Sequence, residues 1–405
     1  METGKTGALV SLSSVPLIMT LGNSMLIPIL PALADKLQVS SFQISLIITV
    51  YSLVAIVLIP IAGYLSDRFG RKKVMIPSLI LAGAGGAICG MASFFSGNGY
   101  SLIIWGRLLQ GIGAAGAAPI VLPLVGDLFK KESDISTGLG IIETSNTFGK
   151  VLSPILGSLL AIISWYAPFY AIPVLCLISI LLVGFLVKVP KTENSNSIMK
   201  FPQFWKSIQA IFREKGRWLI AVFAIGGICM FVVFSALFYL SNLLEDQYGI
   251  KGVYKGCLLA VPLAALCLSS YITGKIIGEN KPLMKWITLG SLVLLSGALI
   301  MCGWLNPSSL ILLLLLLSLT GIGVGAALPS LDALITEGIE KEQRGTITSL
   351  YSSMRFIGVA AGPPAASILM DISSRTLFYS VSGTGVAAAL LALLAIRPGK
   401  QKSTA

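Results

Sequence analysis

Long apolar runs, most of them about 20 residues or more, alternate with short polar breaks along nearly the whole chain. A helix rises 1.5 Å per residue, so about 20 apolar residues cross the hydrocarbon of a bilayer. The runs fall at 8–33, 43–65, 74–96, 101–125, 136–162, 166–188, 217–244, 252–276, 285–305, 309–333, 345–370 and 376–396. The pattern predicts an all-α membrane protein with twelve transmembrane helices and both termini on one side. Gly and Pro inside the runs are compatible with this, because neighbouring helices re-satisfy freed backbone groups within a membrane.

Composition points the same way. The 405 residues are 55% hydrophobic and 11% charged, against about 25% charged in a soluble domain. The net charge of +12 sits between the apolar runs rather than along one polar face. Membrane topology therefore explains it better than nucleic-acid binding. The alternating breaks put 22 Lys and Arg on one side, and only Lys36, Lys251, Lys255 and Arg375 on the other. The richer side is the cytoplasmic one. The expectation is a multi-pass protein of the plasma or inner membrane with cytoplasmic N- and C-termini. The chain has no His, and its six Cys form no CxxC pair. No metal site or cofactor is expected, and a proton carrier would have to be Asp or Glu.

The longest polar break, 189–216, divides the chain. Within it Phe201, Phe204, Trp205, Ile208, Ile211 and Phe212 recur at helical spacing, as in an amphipathic helix lying on the membrane surface. On either side the sequence repeats. GIGAAGAAP at 111–119 matches GIGVGAALP at 321–329, GKVLSP at 149–154 matches GVAAGP at 358–363, and Gly63 aligns with Gly274. The offsets of 210, 209 and 211 residues are nearly equal and in order. A duplicated six-span unit follows. The expected organisation is an N-terminal bundle (1–188), a linker with its amphipathic helix (189–216) and a C-terminal bundle (217–405).

The break GYLSDRFGRKK, Gly63 to Lys73, resembles the loop 2–3 signature of the major facilitator superfamily, G-x-x-x-D-R-x-G-R-[KR]-[KR]. Arg107, Gln110, Gly111 and Gly113 resemble its fourth-span motif. Gly149, Pro154 and Gly157 resemble the fifth-span antiporter motif, with Ser153 and Ser158 at two of its glycine positions. Gly358, Gly362 and Pro363 form the second-half copy. Taken together, the motifs look most like the twelve-span drug/proton antiporters. The resemblance implies two pseudo-symmetric bundles around a central cavity. It also implies a gating role for Gly63, Asp67, Arg68, Gly70 and Arg71, against plain topological anchoring. Pro154, Gly157, Gly358, Gly362 and Pro363 would bend or pack the spans at the boundary between halves.

Charges buried in spans are costly and usually functional. Four stand out: Arg107, Glu143, Lys150 and Arg355. Glu143 is the one carboxylate well inside an expected span, while Asp127, Asp332 and Glu337 fall near span ends. Glu143 is the leading proton site, and the family's fourth-span arginine gives Arg107 a role in proton transfer. The alternatives are a structural ion pair for Glu143 and helix-to-helix hydrogen bonding for Arg107. Lys150 and Arg355 are candidate substrate contacts, with Met25, Met230, Phe231 and Phe234 as adaptable apolar walls or ordinary packing. Three buried cations against one anion hint at an acidic substrate.

The function expected is secondary active export of small drug-like or acidic amphipathic molecules by proton antiport with alternating access. A dedicated exporter of an anionic metabolite or siderophore, or a lipid-headgroup flippase, is the alternative. A non-transporting membrane sensor is a remote one. No nucleophile with a base and no paired carboxylates suggest an enzyme. The implied partners are a small-molecule substrate, protons and the lipid bilayer, and a monomer suffices.

Overall fold

The computed structural model describes residues 3–94, 99–129, 132–187, 201–278, 280–306, 309–339 and 341–396. The first part of the expected linker, 189–200, lies outside them. The first crossing comprises α1 (Thr3–Ser24), a 3-10 turn (Ile27–Ile29) and α2 (Leu30–Leu37). Next come α3 (Ser41–Phe69) and α4 (Arg71–Met91). The fourth crossing is split into α5 (Gly99–Ala115) and α6 (Ala118–Leu128), and α7 (Glu132–Ile163) and α8 (Ala167–Leu186) complete the first half. The second half is α9 (Phe201–Asp246), α10 (Gly252–Ile276), α11 (Lys281–Leu305), α12 (Leu310–Gly338), α13 (Lys341–Ile372) and α14 (Ser374–Ala395). No strand occurs among the described residues.

Eleven of these segments are long and apolar enough to cross a membrane. The twelfth crossing is α13, equally long at 32 residues, which carries Arg355 and two consecutive prolines, Pro363 and Pro364. Two expected spans are interrupted. Pro28 and Pro31 each lack an N–H donor and divide the first crossing at the 3-10 turn. The fourth breaks at Gly116, which lies against the side chain of Ser78, just before Pro119. The expected surface helix also differs: the polar start at Phe201 and the apolar continuation form one unbroken helix to Asp246.

Helix ends follow local chemistry. Ser40 and Gln43 form a capping box at the start of α3, each side chain accepting from the other's backbone N–H at 3.1 and 2.9 Å. Gly70, at φ +100°, makes the one-residue turn between α3 and α4 that a side chain would strain.

The internal repeat is visible in the packing. In the first half a Cβ at Gly111 would strike the Tyr51 carbonyl of α3, and one at Gly113 would strike Ser78 of α4. In the second half a Cβ at Gly321 would strike the Pro262 carbonyl of α10, and one at Gly323 would lie 2.7 Å from the Ser291 carbonyl of α11. The fourth and tenth crossings thus sit on their own second and third neighbours in the same way. Small residues allow this close backbone approach.

The halves meet along two seams, α3 against α13 and α7 against α10. Thr49 of α3 donates to the Ala360 carbonyl of α13 at 2.7 Å. Ser241 of α9 donates to the Ile27 carbonyl of the 3-10 turn at 2.9 Å. Buried apolar side chains from both halves, among them Leu26, Leu30, Leu240 and Leu259, form one continuous core across the contact.

Candidate functional site

The Gly63–Lys73 turn is organised by Arg71. Its Nη1 lies 2.5 Å from Asp67 Oδ1 and donates to Ser66 Oγ at 3.0 Å, and its Nε lies 3.1 Å from Asp127 Oδ2. One guanidinium therefore ties α3, α4 and α6 together. Lys72 donates to the carbonyls of Gly184 and Val187 at 2.6 and 3.0 Å, covering the last turn of α8 where carbonyls lack helical partners. A Cβ at Gly63 would lie 3.3 Å from Ser349 Oγ, so this end of α3 touches α13 of the other half. Arg68 points elsewhere, its guanidinium 5.4 Å from the centre of the Phe69 ring.

Arg107 is wholly buried. It donates to the Ile47 carbonyl at 2.8 Å, the Gly22 carbonyl at 3.2 Å and Gln110 Oε1 at 2.7 Å, and also to Asn23 Oδ1. Its guanidinium stands 4.4 Å from the centre of the Tyr51 ring. These partners come from α1, α3 and α5, and none is a carboxylate. The arrangement is that of a clamp between three helices, satisfying a buried cation with carbonyl dipoles and a ring face.

The remaining charges gather at the boundary between halves. Arg355 Nη1 lies 3.9 Å from Asp332 Oδ1, and its guanidinium stands 5.7 Å from the centre of the Tyr351 ring. Both Glu143 oxygens accept from Asn146 Nδ2 at 3.4 Å, and Asn146 Oδ1 accepts from Thr20 of α1 at 2.5 Å. Lys150 lies within electrostatic reach of Arg355, Glu143 and Asp332. The expected set Glu143, Lys150 and Arg355 is thus brought into one cluster, whereas Arg107 stands apart inside the first half.

Lys150 is only 8% exposed. Among the described residues it makes neither a hydrogen bond nor an ion pair. It lines a crevice between the halves with Ser24, Pro154, Phe234, Leu237, Leu259 and Leu263. The crevice volume is about 10 Å³, close to the minimum for one water. Pro154 adds to the polarity of this point, because its missing N–H frees the carbonyl four residues back, that of Lys150.

The other expected contacts fall differently. Phe234 shares the crevice with Lys150. Met25 is fully buried, and its carbonyl is where a Cβ at Gly157 would collide. Met230 is buried in the core that runs across both halves. Phe231 packs against Gly358 and Gly362, whose small size lets α9 and α13 approach. Pro363 lies within α13, beside Pro364.

Two acidic groups have partners that their sequence neighbourhood does not mark. Asp332 lies near the end of its span, as expected, and there pairs with Arg355. Glu245 and Lys255 form a buried ion pair at 2.7 Å, with Lys251 3.5 Å from the other Glu245 oxygen. Lys255, counted among the basic residues of the outer side, sits in the first turn of α10 at 1% exposure. Ten residues separate Glu245 and Lys255, and only the fold of the connecting turn reveals the pair.

The family model of the Major Facilitator Superfamily matches residues 12–306 and 284–405. The chain belongs to this superfamily. It is 54% identical, over 97% of both chains, to a bacillibactin exporter of Bacillus subtilis (strain 168). It is 27% identical to the multidrug efflux protein YfmO of the same organism, over 92% of this chain and 89% of that one. Its identity to the class C tetracycline resistance protein of Escherichia coli is 25%, over 93% of each. Among solved structures, the human organic anion transporter MFSD10 (TETRAN) superimposes with a TM-score of 0.75 at 20% identity, covering 97% of this chain and 100% of that one. A bacterial homologue of the human lysosomal transporter Spinster, inward-facing and occupied, gives 0.76 at 15% identity, covering 99% and 100%. At these identities the structural likeness speaks for the fold alone. Membership makes the protein a multi-pass membrane transporter rather than an enzyme.

Proposed function

We propose that this transporter exports a siderophore of the bacillibactin kind. The observation that carries the proposal is the 54% identity along 97% of both chains to a bacillibactin exporter. The more distant drug-efflux relatives, at 27% and 25%, support the broader drug-antiport expectation less well. A cleft whose most buried cation is unpaired also suits an acidic cargo better than a lipophilic cation.

Export is driven by protons entering in exchange, with Glu143 as the group that binds and releases them. Among the described residues its carboxylate accepts two long hydrogen bonds, both from Asn146 at 3.4 Å. The end bearing Arg68, Arg71, Lys72 and Lys73 faces the cytoplasm, following the excess of basic residues there. Asp67 and Arg71 steady that end, and the meeting of Gly63 with Ser349 opens and closes as the halves rock.

The test is transport in proteoliposomes with an imposed pH gradient, offering bacillibactin, tetracycline and a lipophilic cationic dye. Bacillibactin should accumulate with the gradient, and Glu143→Gln should abolish the accumulation. Movement of the dye alone would overturn the cargo. Full gradient-driven transport by Glu143→Gln would overturn the proton assignment.

A further inference from the structure

The geometry points to Lys150 as the anion-binding subsite of the cleft, which takes the acidic group of an amphipathic organic anion while the apolar walls of the crevice receive its body. The inference rests on the exporter reading for the identity of the cargo, but its own basis is local.

An ammonium buried in an apolar setting and left without a partner is costly. The other buried cations here have partners. Arg107 is met by carbonyls, an amide oxygen and a ring; Lys255 by Glu245; Arg355 by Asp332. Lys150 alone among these four has neither a hydrogen bond nor an ion pair among the described residues, and its side chain lines the crevice. Glu143 shares its helix but is seven positions away, about 10 Å along the axis, and turns to Asn146 instead. Arg355 lies near enough to repel Lys150, and Glu143 and Asp332 attract it only from beyond ion-pair distance. An arriving anion would therefore relieve both an unmet charge and a like-charge repulsion.

The surroundings specify the rest of the ligand. Val233, Phe234 and Leu237 of α9 and Leu259 and Leu263 of α10 present only carbon to the crevice. A small inorganic ion would leave those walls unused, so the fitting ligand has an apolar or aromatic body next to its acid. The crevice is nearly closed, so binding must part α7 from α9 and α10, which belong to opposite halves. Recognition of the anion is thereby coupled to movement at the seam.

The experiment uses the full chain in detergent, with the rise in melting temperature as the binding readout. The probes are dansylglycine and its neutral amide. The acid should stabilise the wild type and Lys150→Arg, and the amide should not. Lys150→Met should melt at or above the wild-type temperature without ligand, because it removes an unpaired charge. It should need at least tenfold more acid for half-saturation. Lys150→Gln serves as a second neutral variant. An unchanged acid response in both neutral variants, or no response to the acid in the wild type, overturns the subsite. Bacillibactin transport judges the exporter reading separately. Transport without any acid response sinks the subsite alone, and an acid response without bacillibactin transport sinks the exporter reading alone.

Discussion

The hydroxyl of Thr49 donates across the boundary between halves to the carbonyl of Ala360, at 2.7 Å. Pro364 follows Ala360 by four positions and has no N–H, so α13 cannot satisfy that carbonyl itself. A residue of the first half thus completes the backbone of a helix in the second. In hydrocarbon an unmet carbonyl is costly, so this bond pins one seam.

Thr49→Val keeps the shape of the side chain and removes the donor. It should destabilise the protein by about 1–3 kcal/mol, the cost of an orphaned buried acceptor. Pro364→Ala restores an N–H, and the double variant should recover much of the loss. Melting temperatures of the four proteins in detergent form the cycle; additive losses would show that the two residues are independent.

Glu245 and Lys255 are nearly inaccessible, at 8% and 2% side-chain exposure. Glu245→Gln strands a buried ammonium and should cost about 3–5 kcal/mol. Joint replacement, Glu245→Leu with Lys255→Met, should cost far less, read again as thermal stability. Equal damage from both would mean that the pair does more than neutralise itself.

Arg107 spans acceptors on three helices with a planar fork, which an ammonium cannot reproduce. Arg107→Lys and Arg107→Gln should both lower yield and melting temperature sharply. Any surviving protein should keep the pH dependence of wild-type transport. A stable variant with an altered pH profile would return Arg107 to the proton path.

Two aligned glycines of the repeat should diverge. A Cβ at Gly63 lies 3.3 Å from Ser349 Oγ, while one at Gly274 meets nothing within 4 Å. Gly63→Ala should therefore shift the balance between transport states, and Gly274→Ala should be silent. By contrast Gly358→Ala would drive its methyl into the Gly227 carbonyl and should abolish folding. Size-exclusion profiles and transport rates separate the three outcomes.

The crossings were legible in the chain because hydrocarbon imposes a simple demand, about 20 apolar residues with every backbone group paired inside the helix. The repeat was legible because Gly111 and Gly321 solve one packing problem twice, each under a neighbouring backbone. Those demands act on a segment or on matched segments, so they leave a pattern in sequence order. The breaks at Pro28 and Gly116 were less visible, since proline and glycine are common in membrane helices that stay whole.

Which charges find partners is another matter. Nothing near Lys255, Asp332 or Lys150 in the sequence distinguishes the paired from the unpaired. Glu245 reaches Lys255 through a turn, Asp332 reaches Arg355 through helix packing, and Lys150 is left lining a crevice between the two halves. Electrostatic satisfaction depends on distances of a few ångströms between segments far apart in the chain. Those distances exist only once the helices have packed, so the spans and their repeat belong to the sequence, while the character of the cleft belongs to the tertiary structure.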